Sequence, residues 1–254
     1  MNLENKRIVL TGATSGIGLE TLKLLQKFQG TRIIAVGRKI ELIPQHENVI
    51  PYKCDVSQEK EVDALFQFAL EKMNGIDIFI ANAGFGYYEK MNKPDWAHIE
   101  HIYQTNVFSP LYSYQKMVAL NPENPFSFIA TASAVALYAL PYYTIYSSTK
   151  YALNGFLDGI QYELPKNAHV GLVYPVATKT KFFQTSSIST QGKEIWPTQT
   201  PDKVALAIVK GILKNKRKIM PSTIFYFSAI IGKFFPGIIR LAMKKQVEEP
   251  GTGR

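Results

Sequence analysis

A chain of 254 residues with one cysteine and a formal net charge of +9 has the length of one large α/β domain, at most with a small appendage. The lone Cys54 excludes a disulfide framework and suits a reduced, cytoplasmic setting, and the polar start Met1-Asn2-Leu3-Glu4-Asn5-Lys6 gives no expectation of a signal or transit peptide. The charge is gathered late, with ten Lys or Arg residues and no acid between Lys203 and Lys245, so an anionic partner (a phosphorylated cofactor, an acidic carrier or a membrane surface) stands against a plain solvated basic face.

The first apolar run, Arg7–Thr11, predicts a strand and leads straight into Thr11-Gly12-Ala13-Thr14-Ser15-Gly16-Ile17-Gly18. A helix opening near Gly16 aims free backbone N–H groups and its positive dipole end at a pyrophosphate. Gly12 permits a tight exit from the strand, Gly16 a close approach of backbone to phosphate, and Gly18 close packing of helix on sheet. Gly12, Thr14, Ser15, Gly16, Ile17 and Gly18 are therefore candidate cofactor contacts. The spacing is Gly-x-x-x-Gly-x-Gly, and no Lys-Ser or Lys-Thr follows it, which disfavours a Walker loop. A structural turn with incidental glycines is the plainer alternative.

A helix near 17–29 and a strand Arg32–Val36 follow. The strand ends in Gly37-Arg38-Lys39, where an acid would bind ribose hydroxyls and repel a 2′-phosphate. Arg38 offers that phosphate a planar, permanently charged fork, so NADP(H) is favoured over NAD(H); the alternative is a surface arginine. After the third strand, Val49–Cys54, Asp55 and Val56 either touch the adenine or lead into a helix near 58–73 capped by Ser57. Asn82, Ala83 and Gly84 end the fourth strand, Asp77–Ala81, where small residues let the backbone pass a cofactor, unless they form a plain loop.

A helix near 95–119 carries Asn106, whose side chain or local backbone can hold a water that relays protons. Ser133 follows the fifth strand, Ser127–Thr131, at the carboxyl edge where such sheets bind ligands. Tyr146 and Lys150 stand one turn apart on one face of a helix near 146–163. A free phenol with a pKa near 10 is a poor proton shuttle at neutral pH; an adjacent ammonium and an oxidised nicotinamide each favour phenolate. Tyr-x-x-x-Lys occurs three times here, but of Tyr112, Tyr146 and Tyr162 only Tyr146 has a serine thirteen residues upstream at a strand end. Strands His169–Tyr174 and Arg217–Met220, with a helix near 202–214 between them, complete the pattern. Strand–helix alternation with continuous hydrophobic strands predicts an α/β fold, a doubly wound parallel sheet with helices on both faces.

These residues resemble the short-chain dehydrogenase/reductase family in its shorter single-domain form, from about Lys6 to Pro221. The resemblance rests on TGATSGIG, Asp55, Asn82-Ala83-Gly84, Asn106, Ser133, Tyr146-x-x-x-Lys150 and Tyr174-Pro175. It implies a seven-stranded Rossmann-type sheet, NAD(P)-dependent hydride transfer and a homodimer or homotetramer. It also implies Tyr146 as acid/base, Ser133 orienting the carbonyl, Lys150 lowering the Tyr pKa and holding the ribose, Asn106 supporting a relay water, and Pro175 and Thr180 beside the nicotinamide. In place of the usual Pro-Gly stands Pro175-Val176; valine resists positive φ, so the loop there is expected to differ.

Phe85, Tyr87, Tyr88, Tyr138, Tyr142, Tyr143, Phe182, Phe183 and Trp196 favour an apolar pocket and hence a small apolar carbonyl or alcohol substrate. No nucleic-acid partner and no metal are expected. A different class of function remains open, a non-catalytic NADPH-binding regulatory protein on the same scaffold. Residues 1–221 are read as the catalytic domain and 222–254 as an extension. Within the latter, Phe227, Ile230, Ile231, Phe234, Phe235, Ile238 and Leu241 recur at helical spacing over 222–245, with Pro236 set to kink or split the helix. That helix packs on its own domain or a subunit, or lies in a membrane interface.

Overall fold

In a computed structural model, residues 1–180, 182, 198–235, 237 and 241 are described. Seven parallel strands form one sheet: β1 (Arg7–Thr11), β2 (Arg32–Gly37), β3 (Val49–Lys53), β4 (Ile78–Ala81), β5 (Phe126–Thr131), β6 (Ala168–Val173) and, near the end of the chain, β9 (Lys218–Ile219). Their spatial order is β3-β2-β1-β4-β5-β6-β9. Chain direction across the sheet reverses at β1, whose neighbours are β2 and β4, and a crevice opens at that switch point. The doubly wound α/β expectation and its seven strands hold.

The strands are buried on both faces because they are Val- and Ile-rich without alternation; β1 runs Ile8-Val9-Leu10, all fully buried. Alternate residues serve opposite layers. Ile8 and Leu10 join Leu22 and Leu25 of α1 (Gly16–Leu25), while Val9 joins the layer of α2 (Glu59–Met73). Val204, Ile208 and Ile212 of α6 (Pro201–Leu213) complete the first layer. The second is filled by Leu65, Phe66 and Met73 of α2, Tyr114 and Met117 of α4 (Ser109–Leu120), and Leu153 and Leu157 of α5 (Thr144–Ile160). Burying side chains of this size contributes about 1.5–3 kcal/mol each. Arg7 and Asp77 lock the starts of β1 and β4 by paired bonds of 2.6 and 3.0 Å.

The chain departs from the predicted elements in three places. The helix expected over 95–119 is three pieces: α3 (Trp96–Tyr103), a π-helical turn (Gln104–Phe108) and α4. Pro110, in the first turn of α4, has no N–H to offer the carbonyl of Asn106 four residues before it; the wider turn brings Asn106 to the loop after β4, and π-turns of this kind gather at functional sites. The predicted helix near 17–29 stops at Leu25, and the chain turns back through Gly30 at φ +69°. Finally, the stretch read as a loop over 176–200 begins and ends in short strands, β7 (Ala177–Thr178) and β8 (Thr198–Gln199), paired in parallel. Phe183, Trp196 and Pro236 lie outside the described residues. A last helix, α7 (Thr223–Phe234), follows β9. Among the described residues no helix is long and apolar enough to cross a membrane.

Candidate active site

The phosphate turn is built as the glycine pattern requires. Gly12 and Gly16 hold φ of +68° and +54°, the left-handed region that side chains resist. At Gly18 a Cβ would lie 2.0 Å from the Gly12 carbonyl oxygen, so helix and strand meet at a distance only glycine allows. Ser15 leads into α1 in extended backbone and makes no side-chain cap bond, which leaves the helix's first N–H groups to an outside acceptor. Thr14 packs its methyl against Gly37 at the end of β2. Beyond that glycine Arg38 and Lys39 are exposed.

Asn82 ties three strand ends together. Its side chain donates to the carbonyls of Thr11 and Gly12 at 3.2 and 3.3 Å, and its oxygen accepts the Thr131 hydroxyl at 3.1 Å. The N–H groups of Asn82 and Ala83 both donate to Thr11 Oγ1 at 3.0 Å. Gly84 comes next, where a Cβ would meet Asn106 Oδ1 at 3.1 Å and Lys150 Nζ at 3.5 Å. Asp55 takes the role of a lead-in to α2: its carboxylate accepts the N–H and hydroxyl of Ser57 at 3.0 and 2.8 Å. The helix cap itself is Gln58 rather than Ser57, because Ser57 is spent on Asp55. Val56 is buried beside that turn.

Ser133, Tyr146 and Lys150 converge with Asn106 at the carboxyl edge of β4 and β5. The Ser133 hydroxyl hydrogen-bonds the Tyr146 phenol in the sense that favours phenolate, and it accepts the Val135 N–H at 3.3 Å. Lys150 Nζ stands 5.6 Å from the centre of the Tyr146 ring and donates to the Thr131 carbonyl at 2.8 Å; two of its three N–H groups remain for other acceptors. Burial dominates the ionisation of both groups, pushing the phenol up to about 12 and the ammonium down to about 7. Lys150 therefore assists the phenol less at neutral pH than a fully charged ammonium does.

Asn106 is only 1% exposed and both amide N–H groups of its side chain are engaged. Its oxygen accepts the Phe85 N–H at 3.1 Å, and its amide donates to the Phe85 carbonyl at 2.8 Å and to Thr149 Oγ1 at 3.1 Å. Thr149 in turn donates to the Tyr146 carbonyl at 2.7 Å. Pro175 offers its carbonyl to the Ala134 N–H at 2.8 Å and, weakly, to Ser133. Val176 is absent from the residues with positive φ, so the loop runs in ordinary backbone where glycine was not required. Thr180 reaches over the phosphate turn, its methyl 2.8 Å from where a Gly16 Cβ would stand.

An aromatic wall surrounds the phenol. The rings of Tyr143 and Phe182 lie 6.2 and 5.6 Å from Tyr146, and Phe85, Tyr87 and Tyr88 join the same cluster. Tyr138 does not: its hydroxyl turns away to the carbonyls of Ser228 and Ala229 in α7, at 3.2 and 2.8 Å. Sequence reading also missed a clamp behind the wall. His98 pairs with Glu89 at 2.8 Å and stacks on the Tyr87 ring at 3.6 Å. No spacing in the chain announces it, because the partners meet across a loop.

An uncapped helix start over a left-handed glycine turn, with a buried lysine holding unused donors, fits a pyrophosphate and a ribose. With a phenol, a hydroxyl and that lysine grouped on the crevice, fold and site define a nicotinamide-dinucleotide oxidoreductase. The chain belongs to the short-chain dehydrogenase/reductase family: residues 6–190 match the family model for short chain dehydrogenase. It is accordingly an enzyme acting on CH–OH groups with NAD(P) as acceptor. It is 28% identical over 193 residues to an uncharacterized oxidoreductase of Staphylococcus saprophyticus, covering 71% of this chain and 77% of that one. To the 3-ketodihydrosphingosine reductase of Bos taurus it is 28% identical over 233 residues, covering 84% and 70%. A short chain dehydrogenase of Burkholderia cenocepacia, solved with NADP, superposes with a TM-score of 0.80 at 20% identity, covering 98% and 100%.

Proposed function

We propose that this enzyme prefers NADP(H) and moves a hydride between the nicotinamide and a carbonyl or secondary alcohol on a small apolar molecule, with Tyr146 as acid/base. The observation that carries the reading is the buried Tyr146 phenol, hydrogen-bonded by Ser133 and flanked by Lys150. The bound dinucleotide supplies the hydride in the reducing direction. Tyr146 gives its phenolic proton to the carbonyl oxygen while Ser133 donates to that same oxygen, so the carbon gains hydride, the oxygen gains a proton, and an alcohol leaves. Lys150 turns its two unused N–H groups to the ribose hydroxyls. Asn106, its side chain engaged, holds the relay water through its backbone.

The exposed Arg38, beside the end of β2, supports the preference for a 2′-phosphate. Asp55, Val56, Asn82, Ala83, Gly84, Pro175 and Thr180 line the cofactor's path. Tyr87, Tyr88, Tyr143 and Phe182 support an apolar substrate. Residues 1–221 form the catalytic domain of a cytoplasmic homodimer or homotetramer, and the extension, residues 222–254, gives it a membrane contact through 222–245.

Turnover of a panel of ketones and aldehydes with NADPH and NADH tests this. Reduction of an apolar member, faster with NADPH, is expected, with Arg38→Asp reversing the cofactor ratio. Tyr146→Phe with undiminished turnover sinks the assignment.

A further inference from the structure

Helix α7 exposes one bulky apolar face. Ile224, Phe227, Ile231 and Phe234 are 58, 63, 52 and 72% exposed, and their spacing of three, four and three puts them on one side of the helix. The opposite side is anchored. Phe225 is buried in the core beneath α2, α4 and α5, its ring edge-on to Tyr138 at 6.2 Å, and Tyr138 holds the carbonyls of Ser228 and Ala229. Tyr138 belongs to the loop that begins at Ser133, so α7 is tied to the loop that carries that serine.

Charge decides the occupant. The stretch Lys203–Lys245 that contains α7 has ten bases and no acid. A second copy docking through this face by twofold symmetry would bring two such stretches together. An anionic surface would meet them with opposite charge, each base near it contributing about 1 kcal/mol. Twelve residues at about 1.5 Å each make a rod far shorter than a bilayer's apolar thickness; α7 is suited to lying in the interface.

We propose that α7 seats Ile224, Phe227, Ile231 and Phe234 in the surface of an anionic lipid bilayer. This deepens the membrane contact assigned above and rests on it, but its test needs no substrate and no turnover, so a failure of the catalytic reading leaves it standing. The full chain is sedimented with vesicles of phosphatidylcholine alone or mixed with phosphatidylglycerol. Binding to the mixed vesicles only, weakened by salt, is expected. The double variant Phe227→Asp, Ile231→Asp should lose about 10-fold or more in partition, from the apolar burial it forfeits, with an unchanged circular dichroism spectrum and NADPH affinity. Phe227→Leu should still bind. If the aspartate pair fails to fold, Phe227→Ser with Ile231→Ser is read in the same way. Wild-type protein left in the supernatant, equal binding to both vesicles, or equal binding by the folded double variant overturns the proposal. So does a drop in sedimenting mass of the double variant without any vesicle binding by the wild type, which would assign the face to a second copy.

Discussion

The backbone N–H of Glu89 donates to the carbonyl of Tyr142 at 2.8 Å, and Tyr142 presents that carbonyl from a left-handed conformation, φ +65°. One hydrogen bond thus joins the loop after β4 to the loop before α5, the two segments that wall the Tyr146 phenol. The left-handed region costs a residue with a Cβ about 1–2 kcal/mol. Tyr142→Gly relieves that strain while losing a ring contact to Tyr88, so its melting temperature should stay within a few degrees of wild type. Tyr143→Gly, at a position only 5% exposed, should fall much further, by about 3–5 kcal/mol as for other aromatic deletions. Thermal denaturation of the two variants gives the comparison.

The clamp of His98, Glu89 and Tyr87 touches the wall and not the phenol. Glu89→Gln keeps its backbone bond to Tyr142 but weakens the tie to His98. KM for an apolar ketone should rise about 5-fold, the equivalent of about 1 kcal/mol or one ordinary hydrogen bond, with kcat nearly unchanged. Steady-state kinetics that showed the loss in kcat instead would place Glu89 in the proton-transfer chemistry.

Tyr146→Phe should lower kcat/KM by about 10²–10⁴-fold, the usual worth of a positioned proton donor. NADPH affinity should be almost unaffected, as read by nucleotide fluorescence. Lys150→Met should lose both, on the role proposed for the lysine at ribose and phenol.

Lys150 also leaves a mark on stability. Its pKa falls from an ordinary 10.5 to about 7 on burial, so between those values the unfolded chain binds a proton that the folded chain releases. Stability from this group therefore rises with pH from about 7 toward 10.5 and is flat below 7. Tyr146, raised from 10.0 to about 12, acts in the opposite sense at higher pH: its contribution is present below 10 and declines between 10 and 12. Urea midpoints across the alkaline range should climb for the wild type and lose most of that climb in Lys150→Met.

At Gly18 an added methyl would strike the Gly12 carbonyl oxygen at 2.0 Å and the Asn82 amide at 2.6 Å. Gly18→Ala should cost about 1–3 kcal/mol by overpacking and abolish measurable NADPH binding, since α1 must shift away from its strand. Calorimetric melting and nucleotide titration report the two effects separately.

Much of this architecture can be read from the chain. The strand Arg7–Thr11 stands where its apolar run puts it, and the Gly12, Gly16 and Gly18 spacing predicts a turn whose geometry few other residues tolerate. Ser133, Tyr146 and Lys150 are brought together because strand end and helix start meet at one edge of the sheet. What remains hidden depends on contacts across space. Pro110 marks a break in the helix expected over 95–119, but no spacing tells that Asn106 there grips the Phe85 backbone. Tyr138 looks like the other aromatics in sequence and yet serves α7. The burial that lowers the Lys150 ammonium comes from the fold packed around it, which no spacing records.

The carboxamide of residue 82 grips the ends of three strands at once. Any change that widens the crevice from within must loosen that knot and weaken the sheet along with it. Variation is therefore tolerated best at the margins: the exposed tip of β2 and the two loops that Glu89 and Tyr142 button together.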